Sequence, residues 1–311
     1  MKSSEILSFL DQEGIEYEAV RISDVEIDGY SSLFNYRERT MTFIVPERHF
    51  ADYAEQFSTI KIPFMIIGET EEDSPVFSSV IRVKSPRRVF FALLDGLFEK
   101  APGADITGIS ADPEVYKKNS YIAPTATIGK NVRIGVGCVI EGNVVIGDNT
   151  EIHHNVVIRN KTRIGANCTI HSGTVIGEYG FGYVKNEQNE KTMLRHYGGV
   201  VIEDDVHIGD NCVIIRGAID DTIIHKGVKI NTMVHIAHND EIGANTLITS
   251  PCHVCGSVKI GENCHIAGAT IRNQRNVGAN ATVGLGAVVV KDVDEGLTVV
   301  GNPAKPLVME H

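Results

Sequence analysis

Isoleucine returns at every sixth position through the middle of this chain: Ile122, Ile128, Ile134, Ile140, Ile146, Ile152, Ile158, Ile164, Ile170 and Ile176. Four residues after each of the first nine stands a small or β-branched residue: Ala126, Val132, Cys138, Val144, Thr150, Val156, Thr162, Cys168 and Thr174. A period of six is neither the 3.6 of a helix nor the two of a half-buried strand. It fits a short flat strand followed by a tight turn, with three such units closing one triangular coil. Stacked coils pair their strands in parallel at ~4.8 Å per layer, which lines the isoleucines up as interior columns. Gly129, Asn131, Gly135, Gly147, Asn149, Gly165 and Asn167 fall at or near the corners, where positive φ would cost other residues more. The expected fold class is mainly β: a left-handed parallel β-helix of hexapeptide repeats with a small N-terminal α/β domain.

The register pauses at Gly177, returns at Ile202, Ile208 and Ile214, and runs again from Ile224 to Ile266. One step of five residues, Ile266 to Ile271, shortens a coil before the spacing of six resumes through Val277, Val283 and Val289. The β-helix is therefore expected over 121–289. Its interruption at 178–199, with Tyr179, Phe181 and Tyr183 followed by a charged run, is expected to be a functional loop that reaches over a neighbour. Residues 290–311 are expected to form a tail that closes over a ligand site.

Upstream the hexads are absent. Ser3 or Ser4 can cap a helix that carries Ile6, Leu7, Phe9 and Leu10, and Ser85 followed by Pro86 opens a second with Val89, Phe90, Leu93, Leu94 and Leu97 on one face. Met41–Val45 and Phe64–Ile67 read as strands. Residues 1–100 are accordingly expected to be a small α/β domain, a possible ligand binder, joined by a 101–120 linker.

A formal charge of −11 over 311 residues argues against a nucleic-acid groove, which needs clustered Lys and Arg. The first residues lack the cationic start and apolar core of a signal peptide, and no stretch has the apolar length of a membrane span. A cytoplasmic protein is expected. Cys138, Cys168, Cys212, Cys252 and Cys264 all take the small inward position of a hexad, which suits thiols in a reducing compartment acting as compact fillers. The same register outweighs the Cys252-to-Cys255 spacing and the neighbouring His253 and His265 as a zinc site, so no metal is expected.

A flat-sided prism has no deep pocket, and clefts arise when prisms pack side by side. A homotrimer supplies three. A histidine projecting from a corner into such a cleft can act as a base, because its ordinary pKa of ~6.5 lies near neutrality. His238 stands just beyond the inward Ile236, and 18 residues on, one full coil, stands Gly256. A base stacked beside a backbone N–H that no Cβ covers is the arrangement that acyl transfer through a tetrahedral oxyanion requires. His238 and Gly256 are the expected catalytic pair, set against the alternative that both are solvated turn residues. His153, His154, His207, His225 and His265 read as ordinary surface residues. Asp220 or Asp221 could orient His238 from the coil below.

The run Ser172 to Gly182 (SGTVIGEYGFG), Arg216 to Ile224 (RGAIDDTII) and Ile236-Ala-His-Asn together resemble the UDP-3-O-acylglucosamine N-acyltransferases of lipid A synthesis. The N-terminal domain is similar more loosely, through Gly29 to Leu33, Met41 to Ile44 and Val83 to Leu97. The resemblance implies that His238 is the general base and Gly256 the oxyanion donor. It departs at three places. Pro46-Glu47-Arg48-His49 replaces the family's uracil-contacting Asn-Pro-Lys-Tyr; Gln274 and Arg275 stand where a second histidine meets the carrier's pantetheine; and the helical tail gives way to an ending, Gly301-Asn-Pro-Ala-Lys305, that looks like acetyl-CoA-dependent sugar acetyltransferases.

The expected function is N-acyl transfer from acyl-CoA, acetyl-CoA first among them, to the amine of a nucleotide-linked amino sugar, with no permanently bound cofactor. Gln274, Arg275, Gly301, Asn302 and Lys305 are the expected donor contacts. Phe43, His49, Tyr179, Phe181, Tyr183 and Asn239 are the expected acceptor contacts. The alternatives are acylation of UDP-3-O-acylglucosamine from a long-chain acyl carrier protein, O-acylation of a hydroxyl, and a solenoid that only binds.

Overall fold

A computed structural model describes residues 1–44, 49–53, 55–57, 59–98 and 109–307. The chain divides into two compact units, Met1–Ile106 and Thr107–His311.

In the first unit five strands run in the spatial order Glu18–Arg21, Phe77–Arg82, Ile62–Ile67, Thr40–Phe43, Gly29–Tyr30; all neighbours pair in parallel except the first two. Ile62–Ile67 is buried along its whole length because both faces are covered. Phe64 and Ile66 meet helices Ser3–Gln12 and Pro86–Leu97 through Ile6, Leu10, Val89, Phe90 and Leu93, whereas Met65 and Ile67 pack with Leu33, Phe50, Phe57 and Phe77. Both helices begin where the sequence places them, but Lys2 and not a serine occupies the N-cap of the first. The strands at 18–21, 29–30 and 77–82 carry no clear alternation and were not expected.

The second unit is a left-handed parallel β-helix with three faces of eight, ten and nine strands. Register is the sequence period made visible: Ile128, Ile146 and Ile164 stack on one face, Ile134, Ile152 and Ile170 on the next, and Ile140, Ile158 and Ile176 on the third. Corner duties are divided differently from the expectation. Asparagines such as Asn131, Asn149 and Asn167 adopt the left-handed conformation, at φ of 55, 58 and 56°. The glycines beside them serve close approach instead: a Cβ on Gly147 would lie 2.6 Å from the carbonyl carbon of Gly165 one coil on.

Threonine in the small inward position ties neighbouring coils together. Thr150, Thr174 and Thr246 each accept the N–H of the cysteine one coil on, at 3.0–3.1 Å, and donate to a carbonyl of the same layer. The inward thiols donate too, Cys138 to His153 O, Cys212 to Asn231 O and Cys264 to Gly278 O. The five-residue step is absorbed at one corner, where Ala269 takes the inward place above Cys252 and accepts from His253 N–H.

Two features depart from the sequence reading. A helix, Pro113–Asn119, capped by the Asp112 carboxylate on Glu114 N–H, lies inside the 101–120 segment, and its Tyr116 joins the apolar core of the coils. Coiling also persists past Val289: Val293 and Val299 keep inward positions, Thr298–Val300 pairs with Thr282–Val283, and Lys305–Pro306 folds back on it antiparallel. The 178–199 loop is a hairpin, Tyr183–Lys185 against Lys191–Met193, whose base folds onto its own coils. No helix among the described residues is long and apolar enough to cross a membrane.

Candidate active site

Strand Val234–Ile236 pairs with Cys252–Val254, Ile236 facing Val254, so the residues two places further on stack at one corner. These are His238 and Gly256, bridged by Ser257 N–H to His238 O at 2.9 Å. Gln274 follows in the next coil, its N–H on Gly256 O at 3.1 Å. A Cβ on Gly256 would stand 2.6 Å from His238 Nε2 and 2.7 Å from Cε1, so the imidazole lies against a position that only glycine leaves open. Among the described residues no acceptor meets the Gly256 N–H.

The tautomer of the neutral His238 ring follows from its neighbour. Asn239 Oδ1 accepts from Ala218 N–H at 3.0 Å and Asn239 Nδ2 donates to Asp220 O at 3.0 Å, which fixes which end of the amide is oxygen. That oxygen lies 3.2 Å from His238 Nδ1, so Nδ1 carries the proton and Nε2, over Gly256, keeps its lone pair. The orienting group is therefore Asn239. Asp220 contributes only its backbone carbonyl, and the Asp221 carboxylate is taken by Gly199 N–H and Arg163.

The base of the hairpin loop roofs the corner. Gly180 passes between two imidazoles: a Cβ there would meet His196 Nε2 at 2.7 Å and His238 Cδ2 at 3.2 Å. His196, buried at 5% exposure, has its ring centre 5.3 Å from that of His238 and its Nδ1 3.1 Å from Leu194 O; burial pushes its pKa down. Arg216, also 5% exposed, anchors the loop through Gly177 O, Asn160 O and Asn160 Oδ1, and its guanidinium sits 5.2 Å over the Tyr179 ring. His196 escaped the sequence reading because it lies in the insertion, outside any hexad register.

Tyr179, Phe181, Ile215, His235, His238, His253 and Gly256 line a cleft of about 330 Å³. His235 and His253 stack one coil apart with ring centres 4.6 Å apart, and burial pushes the His235 pKa down, with His253 adding to it. Both also line a second hollow of about 440 Å³, which continues along the same face past Gly268 and Thr270 to Gly286 and Val288. Three layers separate His235 from Val288, about 14 Å at ~4.8 Å each. There the tail arrives: Gly301 O accepts from Val288 N–H and Ala304 N–H donates to Val288 O, with Asn302 and Lys305 exposed beside them. Arg275 is turned to Asp292, at 3.4 Å.

One group under the corner is unusual. Asp240, 0% exposed, occupies the small inward position of its hexad; burial raises its carboxyl pKa to about 8 against the opposing pull of two N–H donors. Of the remaining expected contacts, Tyr183 lies out on the hairpin, 5.0 Å from Phe181 and outside the cleft lining. Phe43 packs on Phe90 at 4.6 Å, within the cluster under the two helices, and the exposed His49 meets Glu71 through Nδ1 at 3.1 Å. Pro46, Glu47 and Arg48 lie outside the described residues.

Coils of hexapeptides with an imidazole laid over a corner glycine define a hexapeptide-repeat acyltransferase. The family model for bacterial transferase hexapeptides (six repeats) matches residues 143–178. A UDP-3-O-acylglucosamine N-acyltransferase of Campylobacter lari is 38% identical over 308 residues, 97% of this chain and 92% of that protein. The namesake of Hahella chejuensis is 47% identical over a shorter stretch, 30% of this chain and 27% of that protein. Among solved structures, a UDP-N-acetylglucosamine acyltransferase of Francisella novicida superposes with a TM-score of 0.56 at 27% identity, over 60% of this chain and 68% of its own. That of Bacteroides fragilis gives 0.55 at 29%, over 60% and 72%. The chain belongs to the UDP-3-O-acylglucosamine N-acyltransferase family, and it is an enzyme, an acyltransferase.

Proposed function

We propose that this enzyme transfers an acyl group from a carrier-protein thioester to the amino group of UDP-3-O-acylglucosamine. The observation that carries the reading is the imidazole Nε2 of His238 lying against Gly256 in the cleft. The names of full-length relatives favour this acceptor over the acetyl-CoA reaction that the chain's ending suggests.

In this mechanism the sugar amine attacks the thioester carbonyl while His238 Nε2 takes its proton. The carbonyl oxygen becomes an oxyanion that the Gly256 N–H is placed to hold. Collapse breaks the C–S bond, and the imidazolium returns its proton to the departing thiolate, leaving an amide and a free thiol. Asn239 holds the tautomer in which Nε2 is the base. The donor arm would lie along His253, Thr270 and Val288 toward Gly301 and Lys305. A homotrimer would supply the opposite wall of each cleft.

The test is thiol release with UDP-3-O-acylglucosamine as acceptor, offering a long-chain acyl carrier protein and acetyl-CoA in parallel. Turnover of the carrier thioester, an alkali-stable amide product and its loss in His238→Ala support the reading. Turnover of acetyl-CoA alone, or an alkali-labile ester product, overturns it.

A further inference from the structure

The buried inward positions elsewhere in the β-helix are held by apolar, thiol or hydroxyl side chains, such as Val132, Cys138 and Thr150. Among the described residues Asp240 is the one carboxylate fully buried in the prism. Burying a carboxyl is expensive unless its oxygens are satisfied, and the fold has a cheaper way to tie coils together. Thr246, one hexad further on, accepts the Cys264 N–H with a hydroxyl at 3.0 Å. Asp240 Oδ1 makes the equivalent bond, accepting Val258 N–H at 2.8 Å.

The second oxygen is what a threonine lacks. Asp240 Oδ2 accepts the N–H of Ala237 at 2.8 Å, and Ala237 is the residue immediately before His238. Val258 in turn lies two residues after Gly256. One carboxyl group thus grips the backbone on both sides of the reacting corner, in the layer of the base and in the layer of the oxyanion donor. It does so from inside the prism, where no substrate reaches.

We infer that Asp240 is a positioning residue, whose two-oxygen clamp fixes the spacing between the His238 imidazole and the Gly256 N–H. The inference rests on the reading that these two residues carry the acyl transfer. A shift of an ångström in such a pair costs on the order of 100-fold in rate, whereas substrate binding along the outer cleft is untouched.

Asp240→Thr keeps the acceptor for Val258 N–H and leaves Ala237 N–H with only its other acceptor, Val254 O at 3.1 Å; Asp240→Asn keeps the shape with a single acceptor oxygen. Both are compared with the native full-length enzyme and with His238→Ala. The readouts are kcat and KM for thiol release from a long-chain acyl carrier protein with UDP-3-O-acylglucosamine, together with thermal melting. The expected result for Asp240→Thr is a kcat lower by roughly 10- to 100-fold, a KM within about twofold of native and a melting temperature close to native, with Asp240→Asn between the two. Native kcat in Asp240→Thr, a KM that rises in step with the fall in kcat, or collapse of the fold in both variants overturns the inference. Full turnover by His238→Ala is a different failure, since it removes the catalytic pair itself.

Discussion

The Gly256 backbone and the His238 imidazole occupy adjoining layers at such close range that a methyl group on the glycine would fall 2.6 Å from Nε2. Gly256→Ala must therefore push the ring off its place. Overpacking of this kind costs about 1–3 kcal/mol. In a His238→Ala background the same substitution meets no ring and is expected to be nearly neutral. Chemical denaturation of the two single variants and the double variant measures the coupling; additive effects would mean that the two residues do not touch in solution.

Asn239 is expected to matter more for turnover than its lack of charge suggests. Asn239→Ala removes the acceptor that holds the His238 proton on Nδ1 and leaves the Ala218 N–H and Asp220 carbonyl without their partner. Stability should fall by about 1–3 kcal/mol, and kcat should fall further than KM rises. Steady-state kinetics beside a denaturation curve decide it, and an unchanged kcat would reassign the tautomer to another group.

His153 predicts an acid-side loss of stability. It is 5% exposed, and burial, with the neighbouring His171 adding to it, lowers its pKa to about 4 against the weaker opposing pull of Glu151 and Asp210. The unfolded chain takes up a proton near 6.5 and the folded one does not until about 4, so stability drops as the pH falls through that window. Asp240 has the opposite sign: its carboxyl is raised from 3.8 to about 8, so its contribution is lost as the pH rises from 4 toward 8. Melting temperatures of native, His153→Gln and Asp240→Thr proteins between pH 4 and 8 should show the acid slope flattened in the first variant and the alkaline-side loss flattened in the second.

The thiols should divide by position. Cys138, Cys168, Cys212, Cys252 and Cys264 are buried in the coils, with burial pushing every one of their pKa values up, that of Cys252 to about 11. Cys255 is half-buried and lines the cleft. Brief alkylation followed by peptide mass mapping is expected to modify Cys255 first and the other five only on unfolding. Early labelling of Cys138 or Cys212 would contradict the inward register.

How much of this was legible in the sequence depends on how local the governing interaction is. The period of six set the strand, the corner and the inward column, and counting 18 residues from His238 to Gly256 gave a contact between coils, because in a solenoid sequence distance converts directly into layers. The count slips at the next coil, where the five-residue step sets Ile271 on Val254 and so puts Asn273, not Gln274, over Gly256. It failed where the chain leaves the period. The Pro113–Asn119 helix, the coil beyond Val289 and the hairpin base carrying Gly180 and His196 have no repeat to announce them. Asn239 and Asp240 were within the repeat, yet their work depends on which donor lies opposite each oxygen, and hexad spacing fixes Cα positions without fixing that. The sequence by itself determined the β-helix and its stacked His238–Gly256 corner, since both follow from neighbours one coil apart. Only the tertiary structure decided what roofs, orients and clamps that corner, since those groups arrive from a returning loop and from hydrogen bonds chosen by packing.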